Sequence, residues 1–207
     1  MLDLVLPLEC GGCGAPSTRW CDLCAKQLAL NADEPRLITP RIDPGVPVLS
    51  LGRYAGARRE AIVAVKEYGR ADLIGPLSSA MRAGLERLLS WGVVAAPLTV
   101  VPAPTRRSAA RRRGGDPVTR IAQQAAPAGV TVVKALRLKA FVRDSVGLSG
   151  AERQRNIAGR VKLTTPVTGD VLVVDDIVTT GATASESVRV LHAAGATIVG
   201  VLAIANA

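Results

Sequence analysis

The stretch Val171-Leu-Val-Val-Asp175-Asp176-Ile-Val-Thr179-Thr180-Gly181-Ala182-Thr183 constrains this chain more than any other. Four consecutive apolar residues, Val171–Val174, read as a strand buried on both faces, the pattern of a parallel sheet in an α/β fold. Two adjacent carboxylates end that run, and a Thr- and Gly-rich loop leads on to a helix expected over Ala184–Ala194. Such a loop suits an anion. Gly181 lets backbone N–H groups close on it, Thr179, Thr180 and Thr183 add hydroxyl donors, and the helix N-terminus adds partial positive charge. Ala182 keeps the turn small. Asp175 and Asp176 would repel a phosphate they faced. They are expected instead to accept ligand hydroxyls, or to hold a divalent cation, at the carboxyl edge of the sheet. The chain has no Gly-Lys-Ser/Thr, so this is not a Walker-type loop.

The pattern around this stretch alternates strand and helix. Val48–Tyr54, Leu98–Val101, Val130–Val133 and Thr197–Ile204 read as short apolar strands. Arg59–Tyr68 and Asp72–Trp91 carry apolar residues at helical spacing, and Asp116-Pro117 offers a cap and first-turn proline for a helix through Ala126. Gly195 stops the helix that precedes the last strand. Strands and helices in this order imply a parallel sheet flanked by helices over residues 48–207. Residues 31–47, with Pro35, Pro40, Pro44 and Pro47, read as a linker or irregular cover. Residues 1–30 form a separate small module.

All four cysteines lie in that module, as Cys10-Gly-Gly-Cys13 and Cys21-Asp-Leu-Cys24. Each C-x-x-C pair can fold into a knuckle that presents two thiolates to one tetrahedral Zn²⁺. A redox dithiol, an iron–sulfur cluster and unpaired thiols are the alternatives. The absence of a βαβ pattern nearby disfavours thioredoxin-like chemistry, and four thiolates would leave a zinc ion no open position for catalysis.

Val101-Pro-Ala-Pro104 ends a strand and leads into Arg106, Arg107, Arg111, Arg112 and Arg113, followed by Gly114-Gly115. Arginine forks suit diphosphate oxygens, and a solvated basic loop is the plainer reading. Residues Arg137–Arg160 mix charge, Gly and Ser, which suits a mobile active-site loop carrying Ser149, Glu152, Arg153 and Asn156; a capped surface helix beginning at Ser149 fits the same residues. Lys66 follows the apolar Ile62–Val65 and reads equally as a diphosphate contact or an exposed helix lysine. His192 lies mid-helix and reads as a bystander, so no histidine triad is available.

The formal net charge is +9, from 26 Lys and Arg against 17 Asp and Glu. That favours anionic partners: nucleic acid, phosphorylated metabolites or an anionic surface. Aromatic residues are 2% of the chain, a poor supply for the stacking platforms of single-strand binders. No run approaches the ~18–20 apolar residues of a membrane span, and Met1–Cys13 lacks a basic n-region, so a cytoplasmic protein without a membrane span is expected.

The Val171–Thr183 stretch resembles the fingerprint of type I phosphoribosyltransferases at every position but Ala182. In that family the two acids contact the ribose 2′- and 3′-hydroxyls, and the Thr/Gly loop holds the 5-phosphate of phosphoribosyl diphosphate (PRPP). Nearly the whole chain resembles the ComF family of competence-associated, phosphoribosyltransferase-like proteins. The paired C-x-x-C, the helix ending in Lys66, Pro102-Ala-Pro104, Arg113-Gly114, Leu148-Ser149, Glu152-Arg153, Asn156 and the fingerprint occur in that order. Departures are Gly115-Asp116 where the family often has Phe-Asn, Ser145 where it often has Gln, and Ala109 at an arginine position.

The resemblance implies a type I phosphoribosyltransferase-like parallel sheet with a zinc-ribbon-like module of four cysteines. It also implies PRPP with Mg²⁺ as ligand. Asp175 and Asp176 would hold the ribose, and Thr179–Thr183 the 5-phosphate. Arg113 and Lys66 would neutralise the diphosphate, supported by Arg106, Arg111, Arg153 and Asn156. Three functions stay open: transfer of the phosphoribosyl group, sensing of PRPP, or a DNA-uptake accessory that binds single-stranded DNA or a DNA-uptake helicase.

Overall fold

The computed structural model describes residues 8–105, 115–139 and 159–207. The first elements in chain order are α1 (Asp22–Leu28), β1 (Arg36–Ile38), β2 (Val48–Ser50) and α2 (Gly56–Glu67). A 3-10 turn (Ala71–Leu73) then leads into α3 (Ile74–Ser90), β3 (Leu98–Pro102), α4 (Pro117–Ala125) and β4 (Val130–Val132). The chain continues through β5 (Leu136–Leu138), β6 (Val161–Leu163), β7 (Asp170–Val178), α5 (Ala182–Ala193) and β8 (Thr197–Asn206). Six strands form one sheet in the order β1-β2-β8-β7-β3-β4, parallel throughout except for the antiparallel β1–β2 pair. The protein is therefore α/β, with a mostly parallel sheet flanked by helices.

The unbroken apolar runs of the sequence follow from burial on both faces of that sheet. Leu172, Val174, Leu202 and Ile204 pack with Ile62, Leu77, Met81, Leu85 and Ile121 of α2, α3 and α4. Val171, Val173, Val201 and Ala203 face the other way, against Val188 and Leu191 of α5 and Leu136 and Val161 of the β5–β6 pair. Burying each such side chain contributes about 1.5–3 kcal/mol, so alternate residues of β7 hold both layers. The expected cap of α4 forms: the Asp116 carboxylate accepts the Val118 N–H at 3.2 Å, with Pro117 in the first turn.

Three features differ from the sequence expectation. The 31–47 segment is not wholly irregular, because Arg36–Ile38 adds β1 to the sheet edge. Residues 136–138 and 161–163, at the margins of the segment Arg137–Arg160 read as a loop, pair as an antiparallel β5–β6 ladder. β7 does not stop before the acids. It runs to Val178 because β8 is long enough to pair with it through Val178↔Asn206. Among the described residues no helix is long and apolar enough to cross a membrane.

Candidate functional site

The position of Asp175 and Asp176 follows from unequal strand lengths. β3 pairs with β7 as far as Pro102↔Val174, and the Ala103 N–H closes that ladder on the Val174 carbonyl at 2.8 Å. β3 then turns away while β7 continues along β8. The two acids thus lie just past the last β3 pairing, on a strand that stays paired with β8 on its other side. The connections leave this point in opposite directions. β3 leads through α4 to β4 at one side, and β7 leads through α5 to β8 at the other, with α4 and α5 packed on opposite faces. A crevice between the carboxyl ends of two such strands is a topological switch point, the place where open α/β sheets bind ligands.

Lys66, at the last turn of α2, donates from Nζ to Asp176 Oδ1 at 2.7 Å. Burial alone would lower the Lys66 pKa, but the charges of Asp176 and then Asp175 outweigh it and hold it above its ordinary value. Asp175 behaves in the opposite sense for an acid. Burial, reinforced by the neighbouring Asp176 carboxylate, pushes it well above the usual carboxylate range, with Lys66 only partly opposing. The two carboxylates and Lys66 thus form one electrostatically linked cluster. Its carboxylate oxygens can accept hydroxyl hydrogen bonds.

The turn after β7 has the geometry that the sequence suggested. Gly181 is the N-cap of α5 at φ +84°, ψ −1°, in the left-handed region that glycine occupies without strain. The α5 helix begins at Ala182, two residues earlier than expected, and the Thr180 hydroxyl lies 3.4 Å from the Ala182 N–H. The sequence reading missed what lies behind this turn. The Ile42 N–H donates to the Thr180 carbonyl at 2.8 Å, and a Cβ on Gly181 would collide with the Ile42 carbonyl oxygen. The supposed linker is therefore a wall of the loop. Its proline-rich composition marked irregular structure but carried no signal of where it docks.

Arg106, Arg111, Arg113, Arg153 and Asn156, with Arg107, Arg112, Ser149 and Glu152, lie outside the described residues. The residues flanking those segments are held firmly. Buried Asp116 accepts the Thr105 hydroxyl at 2.8 Å and the Thr119 hydroxyl at 2.9 Å, with Lys134 Nζ at 3.6 Å. This ties the end of β3 to the start of α4. Glu186 of α5, also buried, accepts the Gly159 N–H at 2.8 Å and forms a forked pair with Arg189. The Arg189 contacts outweigh burial and hold the Glu186 carboxyl below its usual range. Lys139 Nζ completes the junction by donating to the Gly159 carbonyl at 2.7 Å. The β5–β6 stem is thus fastened to the helix that follows the Thr/Gly turn. No pattern in the sequence marked Glu186 for this.

No protein-family model matches the chain, and no match is found among curated proteins.

The N-terminal cysteines form a second candidate site. The four Sγ atoms of Cys10, Cys13, Cys21 and Cys24 lie within 4.8 Å of one another. Cys13 Sγ and Cys21 Sγ are 3.6 Å apart, far beyond a disulfide and near the about 3.8 Å edge of a tetrahedron with Zn–S lengths of about 2.3 Å. Burial raises the Cys10 pKa, yet the backbone N–H groups of Cys13, Cys21 and Gly12 overcome it and bring the thiol down to about 6. The donor set fits one metal ion such as zinc. The glycines of the first knuckle are explained by space: a Cβ on Gly11 would collide with the Leu73 side chain, and one on Gly12 would meet Cys24 Sγ at 2.6 Å. Through Gly11 the module sits directly on the 3-10 turn before α3.

Proposed function

We propose that the crevice between β3 and β7 binds PRPP with Mg²⁺, and that the chain is a phosphoribosyltransferase-like protein of the ComF type with a structural zinc ion in its four-cysteine module. The observation that carries this reading is the coincidence of three features at one switch point. These are the acid pair past the end of β3, the Thr/Gly turn that follows it, and the N-terminus of α5 behind that turn. A ribose 5-phosphate group needs those three in that order: hydroxyl acceptors for the 2′- and 3′-OH, then neutral donors and a helix dipole for the phosphate.

In this reading Asp175 and Asp176, the latter held by Lys66, take the ribose hydroxyls. The diphosphate would extend toward Ala103–Thr105, past the end of β3. Transfer needs no protein nucleophile. The bond from the anomeric carbon to the diphosphate oxygen would break as an incoming nitrogen attacks; Mg²⁺ bound with the diphosphate would supply charge stabilisation, beside basic groups of the chain, for the leaving group. Sensing of PRPP would use the same contacts without an acceptor.

Hydrogen–deuterium exchange tests the placement. Saturating PRPP with Mg²⁺ is expected to slow exchange at least tenfold at amides 180–185 and to leave α3 unchanged. Protection of the same amides by a single-stranded DNA oligonucleotide, with none by PRPP, would support the DNA-accessory reading and contradict this one.

A further inference from the structure

We infer that Arg41, in the segment joining the four-cysteine module to the sheet, is a binding residue for the 5-phosphate; the inference rests on the PRPP reading of the crevice. The argument begins with a charge deficit. Thr179, Thr180, Gly181, Ala182 and Thr183 offer hydroxyls and amides but no cation. The basic residues of α5 are Arg189, which is paired with Glu186, and His192, at the far end of the helix. Lys66 is engaged with Asp176. A phosphate dianion in this turn would thus be held by neutral donors and the helix dipole unless a neighbouring element supplies charge.

That element is the wall behind the turn. Both residues flanking Arg41 touch the loop. The Ile42 N–H donates to the Thr180 carbonyl at 2.8 Å, and the Cβ direction of Gly181 points at the Ile42 carbonyl and meets Pro40 Cβ at 2.9 Å. One peptide unit separates the Arg41 Cα from the Ile42 nitrogen, so that Cα lies within about 5 Å of the Thr180 oxygen. An extended arginine reaches about 7 Å from its Cα, farther than that separation. Arg41 is exposed, and its guanidinium has no ion-pair or hydrogen-bond partner among the described residues. Arg36, in the same segment, is by contrast paired with Asp33. The acid nearest to Arg41 in sequence is turned aside, since Asp43 Oδ1 accepts the Gly45 N–H at 2.8 Å. A free fork on a backbone pinned to the turn is suited to two phosphate oxygens at once.

The test compares wild type, Arg41→Ala and Arg41→Lys by calorimetry against two probes, ribose 5-phosphate and PRPP with Mg²⁺. Arg41→Ala should weaken both probes by the same factor, about 10- to 100-fold, as expected for a charge-assisted bond to phosphate. Arg41→Lys should recover part of the loss, and the melting temperature should not change. Equal affinity of wild type and Arg41→Ala for both probes would overturn the role of Arg41 while leaving the crevice reading intact. Weakening of PRPP alone would move Arg41 to the diphosphate and overturn the 5-phosphate contact. If wild type binds neither probe, the crevice reading itself fails and the inference falls with it.

Discussion

Removing the metal ion proposed for the four-cysteine module, by chelation or by Cys24→Ser, is expected to lower the melting temperature on the order of 10 °C. Metal binding in closed thiolate sites contributes directly to folding, and a chain of this size loses about 2–4 °C per kcal/mol. The reason for a loss beyond the module is its docking. Arg70, braced by Asp72, donates to the carbonyls of Glu9 and Arg19 at 3.1 and 3.4 Å. Gln27 Oε1 accepts the Ala57 N–H at 3.4 Å, in the first turn of α2, where no side chain of α2's own N-cap does so. Cys10 and Cys24 pack with Ala57, and Leu28 of α1 belongs to the main core. When the thiolates lose their common ion, these contacts lose the frame that orients them, and the start of the helix carrying Lys66 frays. Metal analysis alongside calorimetric melting checks this. An unchanged melting temperature after complete metal removal would show that the module folds and docks without its ion.

Asp175→Asn is expected to stabilise the free protein at pH 7 while weakening PRPP binding about 10- to 100-fold. The Asp175 pKa is raised in the folded state, so the folded chain holds a proton that the unfolded chain releases above about pH 4. Stability contributed by this position therefore falls as pH rises above the unfolded value and is restored as pH falls below it. Asparagine removes that penalty. The gain at pH 7 should be about 0.5–2 kcal/mol, the range of single stabilising substitutions, and should shrink toward zero near pH 4. Urea unfolding of both proteins at the two pH values measures it. A destabilised Asp175→Asn at pH 7 would mean that the carboxylate is ionised and paired in the folded state. The tension between binding and stability is what a ligand site built from adjacent acids predicts.

The sequence made the centre of this site readable and its walls unreadable. Val171–Val174 read as a strand buried on both faces, and Gly181, between Thr180 and Ala182, as part of a tight turn. Periodicity placed α2 and α3 within a few residues, because their apolar faces are long enough to repeat, and the Asp116-Pro117 cap placed α4. It missed β1, β5 and β6, which are three residues each and owe their existence to pairing partners rather than to pattern. The same limit explains why β7 seemed to end at Asp175: only the length of β8, far along the chain, decides that it continues. Lys66 read equally as a ligand contact or a surface lysine. The fold brings it onto Asp176 across 110 residues of sequence, a contact no local rule can supply. The docking of Pro40 and Ile42 on the turn is of the same kind.

The most direct test of the PRPP site is calorimetry of PRPP with Mg²⁺ against metal-loaded wild type and the Asp175→Ala/Asp176→Ala variant. Saturable, Mg²⁺-dependent binding by wild type, abolished in the variant, is the predicted result. Absence of binding by folded, metal-loaded wild type, or equal binding by the variant, would contradict it.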